Sequence, residues 1–513
     1  MKAFTEPLLS LAGFEEMTKT AEKSSGLISV TGCIDAQKSQ MIYAFGGHRK
    51  NKLIVTFGEQ KAKELYDEYS FFDKEVVYYP SKDVLFYQSD IRGNLLTAER
   101  IRALKAIREQ ERVTLVTTFD ALMNTMAPIE KMWENVLTLE QGQLLDLKEI
   151  QAALIRMGYE KEYQVQTMGQ FSVRGGILDV FPLTEENPIR IELWGDEIDT
   201  IRYFDCESQK SIENTDRVSI YPAAELVLSD EEKAGGIEKL KAEAKRVSDK
   251  LRKQMKTEEA HRVSVMADEL TEEWGELSMY AGMDAFLSYF FDERVGLLDY
   301  FKPSDSLIFF DELTRCTEQG KLTETEFSES MKQRLAMGYI LPGQMNGLFT
   351  EKEIVAKLEK YSCIALGALD NKANGLHQLG SYGIHCQSVS PYNNSFELLI
   401  KDLKRYKKNG YRVILLSGSR TRAKRLSEDI TDQGITCFYT ENYDHELFEG
   451  QIMVCYGKVR RGFEYPILKF AVITESDIFG AQQKKKKRHR TYEGEKIQSF
   501  TDLSIMWCMK TTD

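Results

Sequence analysis

Apolar runs recur at 27–31, 53–57, 75–79 and 113–119, and between them lie stretches of about ten or more residues with helix-like apolar spacing. Short apolar strands alternating with helices predict a parallel sheet with crossover helices, so the chain is read as α/β multidomain. Near Ala127-Pro128 the rhythm changes. Up to about residue 215 the runs alternate or are aromatic, broken by Gly175-Gly176, Asn187-Pro188 and Gly195. Residues 126–218 are therefore expected to form a β-rich module inserted into a domain whose first part is 1–125 and whose second is 219–348. Within that second part Ile237, Leu240, Ala244, Val247, Leu251 and Met255 recur at spacings of three and four, predicting an amphipathic helix. Its stripe covers only about two to three heptads, which favours packing on a neighbouring helix over a coiled coil with a partner. A buried strand is predicted at 307–310, ending in Asp311-Glu312. A third α/β domain is expected over 349–480, with strands at 412–416 and 468–474 and helices at 396–408 and 420–431. Residues 481–513 read as a basic linker and tail.

At 513 residues the chain is too long for one core. Its 42% hydrophobic and 29% charged residues match soluble globular protein and exclude fibrous or globally disordered classes. The net charge of -12 gives no overall positive field, so any nucleic-acid contact has to be local. No apolar run approaches a membrane span and no leader pattern opens the sequence, which reads as cytosolic with no membrane partner. Eight cysteines without a C-x-x-C pair and six histidines without H-x-x-x-H point to incidental thiols in a reducing compartment, and no metal site is expected.

Two features carry the outline of nucleotide chemistry. Gly32-Cys33-Ile34-Asp35-Ala36-Gln37-Lys38-Ser39 follows the first strand with the spacing of a phosphate loop, but Gln37 stands where the second glycine belongs. A side chain there restricts the backbone that must close around phosphates. The loop reads as decayed, with weak binding through Lys38 and Ser39 as the minority alternative. Asp311 and Glu312 end a later strand, as the metal-holding acid and its water-orienting neighbour do in helicases. The inserted module holds Arg174-Gly175-Gly176-Ile177-Leu178-Asp179-Val180-Phe181-Pro182 and Ile189-Arg190-Ile191-Glu192-Leu193-Trp194. Strand alternation places Arg190, Glu192 and Trp194 on one face and Ile189, Ile191 and Leu193 on the other. Arginine, acid and tryptophan on an exposed face suit a protein-binding hot spot, and a solvated face with an incidental tryptophan fits the periodicity equally. Lys484, Lys485, Lys486, Lys487, Arg488 and Arg490 supply six positive charges in seven residues, a linker that is also able to touch nucleic-acid phosphates.

The two module strings closely resemble the domain shared by the excision-repair protein UvrB and the transcription-repair coupling factors, and the chain is identified as a member of the latter family. The likeness extends to the loop at Gly32, to Tyr87-Gln88-Ser89-Asp90-Ile91, Tyr300-Phe301, Asp311-Glu312, Gly462-Phe463-Glu464 and Thr474-Glu475-Ser476-Asp477-Ile478-Phe479-Gly480. UvrB keeps an intact phosphate loop and a long aromatic hairpin, whereas here Gln37 interrupts the loop and 87–96 passes directly into a helix.

The resemblance implies a degenerate helicase-like body with an inserted module that docks onto the repair ATPase UvrA through Arg174, Arg190, Glu192 and Trp194. It implies no cofactor for this chain, because ATP and magnesium serve motor domains that the family carries further on, beyond a polymerase-binding domain. RNA polymerase and DNA are partners of those missing parts. It further implies that the UvrA-binding face, masked in the full-length family by a C-terminal domain, is open here. The tail 505–513 is expected to be the out-of-frame remnant of the polymerase-binding domain's opening. The enzyme alternative is a UvrB-like ATP-dependent repair helicase subunit with a variant loop.

Overall fold

A computed structural model describes residues 1–45, 49–82, 93–276, 283–370 and 375–480. The basic run from Lys484 to Arg490, the tail at 505–513 and the stretch 87–91 lie outside them. A seven-stranded parallel sheet forms the body, in the spatial order Gln378–Gly383, Gly26–Thr31, Ser362–Leu366, Ser306–Asp311, Asn51–Thr56, Val113–Thr118, Val77–Tyr79. Its central strands are buried along their whole length, as a parallel sheet covered on both faces requires. The early strands lie where the apolar runs predict them.

The expected boundary at 349 is displaced. Ser362–Leu366 and Gln378–Gly383, read as part of the third domain, flank Gly26–Thr31 in the body sheet. The run Ser362-Cys363-Ile364-Ala365-Leu366 has no polar alternation, and every residue in it is buried between parallel neighbours. The last body strand ends at Gly383, and the separate six-stranded sheet of the third unit begins at Gln387. Four of its strands, Phe470–Thr474, Arg412–Ser417, Ile452–Tyr456 and Phe438–Tyr439, run parallel, with Phe463–Tyr465 and Gln387–Ser388 antiparallel at one edge.

Met41, Ile54 and Ile364 of the body share one continuous core with Ile414, Met453 and Phe470 of the third unit. Behind that seam, Asp477 caps a turn by accepting from the Gly462 amide at 2.7 Å and from the Thr474 amide and hydroxyl at 2.8 and 2.7 Å. A Cβ on residue 462 would stand 2.5 Å from both Asp477 Oδ2 and the Val472 carbonyl oxygen. Gly462→Ala is therefore expected to destabilise the chain by about 1 to 3 kcal/mol, read as a lowered denaturant midpoint. An unchanged midpoint would show that the turn yields freely.

The module has sheets and a core of its own and meets the body through Leu183, which is buried in the main core, and through the Lys105–Glu185 ion pair at 3.0 Å. Its six-stranded sheet has the order Ser211–Thr215, Glu197–Phe204, Ile189–Trp194, Ile177–Val180, Gln170–Arg174, Glu160–Lys161, beside the two-stranded sheet Leu137–Glu140 with Arg217–Ile220. Its core gathers Leu154, Phe171, Leu178, Ile191 and Ile220. Residues 126–136, expected inside it, belong to the body: Met126, Ile129 and Met132 are buried in the main core. The predicted amphipathic helix spans Asp230–Lys253 and packs antiparallel on Thr257–Glu276, burying Leu240, Ala244 and Leu251 against Ala260, Val263 and Trp274. Met255, expected in its stripe, sits in the connecting turn and is 87% exposed.

One buried ion pair ties the chain leaving the module to the body. Glu225 accepts from Arg100 Nε at 2.7 Å and Nη2 at 3.0 Å, while Arg100 Nη1 reaches the Pro80 carbonyl at 2.7 Å. Burial works against the Glu225 carboxylate, but Arg100 and then Lys82 outweigh it and hold its pKa down at about 2, from an ordinary 4.5. A carboxyl depressed in the folded state contributes stability that is complete above its unfolded value and lost as pH falls through the folded one. The denaturant midpoint is expected to fall between pH 4.5 and 2, and Glu225→Gln should flatten that part of the profile.

Candidate partner-binding face and the loop at Gly32

Strand pairing sets Asp179 directly across from Arg190 on one side and Arg202 across from Arg190 on the other. Two facing arginines repel, and each is drawn off by its own carboxylate. Arg190 donates from Nε to Asp179 Oδ1 at 2.7 Å and from Nη2 to Oδ2 at 2.8 Å, with a further bond to Gln209 at 2.9 Å and its guanidinium 4.3 Å from the Phe204 ring centre. Arg202 Nη1 donates to Glu192 at 2.9 Å, and Thr200 adds a hydroxyl bond at 3.1 Å. Arg174, on the next strand, reaches the same Asp179 Oδ2 at 2.8 Å. One carboxylate, 1% exposed, thus holds two guanidiniums whose side chains are 35% and 12% exposed. Such bidentate, charge-assisted bonds fix donor geometry. Hydrogen bonding by Asp179 raises the Arg190 pKa further, and hydrogen bonding by Arg202 lowers that of Glu192.

Arg190 and Glu192 share this face, as the alternation predicts, and Arg174 joins them from the neighbouring strand. Trp194 ends its strand 84% exposed, beside an open hollow of about 740 Å³ lined by Glu140, Glu197 and Asp199. Sequence reasoning missed Asp179, Arg202 and Gln209, which hold the named residues in place. The available signal was one acid between Leu178 and Val180, in a strand too apolar to leave it unpaired.

The loop at Gly32 is closed by the protein itself. Gly32 and Cys33 amides donate to the Ala368 and Gly367 carbonyls at 3.2 and 3.0 Å, and a Cβ at residue 32 would lie 2.1 Å from the Ile384 oxygen. Lys38, 1% exposed, is spent on Asp311, on Glu312 at 3.1 Å and on Asp35 at 3.1 Å. Burial disfavours its ammonium, but Asp311 ahead of Asp35 and Glu312 outweighs that and raises its pKa. Asp311 also accepts from Thr56 at 3.0 Å. Ser39 and Gln37 are buried with no hydrogen-bond partner for their side-chain polar atoms among the described residues. A triphosphate needs the loop amides and this lysine free, so the residues present do not fit one.

Residues 137–226 match the UvrB interaction domain family. The chain is 28% identical to the transcription-repair-coupling factor of Bacillus subtilis (strain 168), an overlap covering 88% of this chain and 38% of that protein. Its likeness to the factors of the same name in Staphylococcus haemolyticus and Staphylococcus aureus (strain MRSA252) is 27% and 26%, over 93% and 96% of this chain and 40% and 41% of theirs. All three of these relatives are transcription-repair-coupling factors. The chain spans about two fifths of the length of these curated relatives. The UvrB interaction domain begins at Leu137, where the two-stranded sheet begins, and includes the whole Asp179-centred face. Lys38, Asp311 and Glu312 fall outside it.

Proposed function

We propose that this chain is the UvrA-recruiting portion of a transcription-repair coupling factor, acting in transcription-coupled nucleotide excision repair by binding rather than by catalysis. The observation that carries this reading is the pair of arginines fixed by the buried Asp179 on the exposed face of the UvrB interaction domain. Guanidiniums held before a partner arrives lose little freedom on docking, and arginine and tryptophan dominate the energetics of protein interfaces. RNA polymerase and DNA contacts are assigned to other parts of such a factor. The UvrB-like helicase reading requires a working phosphate loop, and the commitment of Lys38 to three carboxylates weighs against it.

Because the matched domain is of the UvrB interaction type, the chain should compete with UvrB for UvrA. Added in excess to a preformed UvrA–UvrB complex on a column, it is expected to release UvrB. Undiminished UvrB at a saturating concentration of the chain would overturn the proposal.

A further inference from the structure

At the amino ends of Asn51–Thr56 and Val113–Thr118, whereas the loop at Gly32 follows the carboxyl end of its strand, lies a cavity of about 430 Å³. Ligand sites in general span roughly 300 to 1,000 Å³. Its lining brings four cations, Arg49, Lys50, Lys52 and Arg112, against two carboxylates, Asp73 and Glu75, in a chain whose net charge is -12. Arg49 is occupied with the Ala21 and Glu22 carbonyls at 3.0 and 2.8 Å. Lys52 is the unusual member. It is half-buried, has no carboxylate within 4.0 Å among the described residues, and rests on the Tyr69 hydroxyl at 3.1 Å, with the Tyr43 and Tyr69 ring centres 5.6 and 5.7 Å away. Burial lowers its pKa and the Arg112 charge adds to that, with Asp73 opposing. Asp73 is itself engaged by the Thr114 hydroxyl at 2.8 Å and the Glu75 amide at 3.1 Å.

With Asp73 already engaged by Thr114 and Glu75, no carboxylate is in contact with the half-buried Lys52 ammonium among the described residues, and it gains from an anion that joins it. Beside it, the half-buried Tyr43 ring, backed by the buried Phe72 ring 5.5 Å behind it, gives the cavity an aromatic wall. We propose that this cavity binds a nucleotide-class ligand, a small phosphorylated molecule carrying a flat ring, with Lys52 and Arg112 receiving the phosphate and Tyr43, backed by Phe72, the ring. The site is independent of the UvrA face and of the loop at Gly32.

Calorimetric titration of AMP into the full chain tests it, with adenosine and inorganic phosphate as separate probes. Saturable AMP binding is expected, weakened at least tenfold by Lys52→Met and severalfold by Arg112→Ala, with either half of the ligand binding far more weakly. Arg112 is exposed at the rim, so its variant reports on the site even if Lys52→Met fails to fold. No AMP binding to the wild type, undiminished binding to a folded Lys52→Met or to Arg112→Ala, or adenosine binding as tightly as AMP would each refute the assignment.

Discussion

Arg174→Ala is expected to weaken UvrA binding by a factor of about 30 or more while the chain keeps its fold. Truncating one member of a desolvated, hydrogen-bonded charge pair at an interface typically costs about 2 to 5 kcal/mol of binding. The fold survives because Asp179 retains both bonds from Arg190 when Arg174 is gone. Partly exposed pairs contribute only about 0 to 1 kcal/mol to stability, so the melting curve should barely move. Arg190→Ala is a different lesion. It removes the bidentate partner of a carboxylate that is 1% exposed, together with the stack on Phe204, and one-sided loss of a buried pair costs about 3 to 5 kcal/mol. Its binding should collapse along with the module's stability. Arg190→Lys keeps the charge but loses the fork, so it should fall between the two. Calorimetry against UvrA, paired with thermal melting of each variant, separates these outcomes. If Arg174→Ala bound UvrA like the wild type, the arginine pair would not be the docking site.

The second large effect is expected at Lys38, and it is an effect on stability. In a working phosphate loop the lysine meets the nucleotide and its loss abolishes nucleotide binding. Here Lys38→Met strips the cation from Asp311, which is 1% exposed, and should cost about 3 to 5 kcal/mol. Asp311→Asn in the same chain removes the stranded charge and should restore part of the loss, a non-additivity readable in a double-mutant cycle by denaturant unfolding. Glu312 adds to the tension, since its φ of +59° lies in the left-handed region that non-glycine residues adopt at a cost of about 1 to 3 kcal/mol. A Lys38→Met variant of unchanged stability that had lost magnesium-dependent ATP affinity would favour the helicase reading instead.

Most of the framework was legible because its signals are local. Leu53 to Thr56, Val113 to Thr118 and Leu307 to Phe310 are apolar runs of strand length, and the stripe from Ile237 to Leu251 has helical spacing. The exposed polar face of the module was legible in part, because period-two alternation alone places Arg190 and Glu192 together. What the sequence hid is non-local. Lys38 and Asp311 lie 273 residues apart, and nothing near either announces that they neutralise each other. Ser362–Leu366 could belong to any parallel sheet, since an all-buried strand carries no mark of its neighbours. Asp179 was visible but passed over, because a carboxylate buried to hold two arginines looks, in sequence, like a polar residue on a solvated face.

The antiparallel pairing of Leu137 with Ile220 places the chain's entry to the module beside its exit. A unit whose two ends meet occupies little more of its host's backbone than a single surface turn. It can therefore be spliced into an unrelated loop, or removed and the gap closed by a short bridge, without re-routing the host. The same geometry makes the module a transferable cassette: one exposed face can be carried by hosts that share no other chemistry.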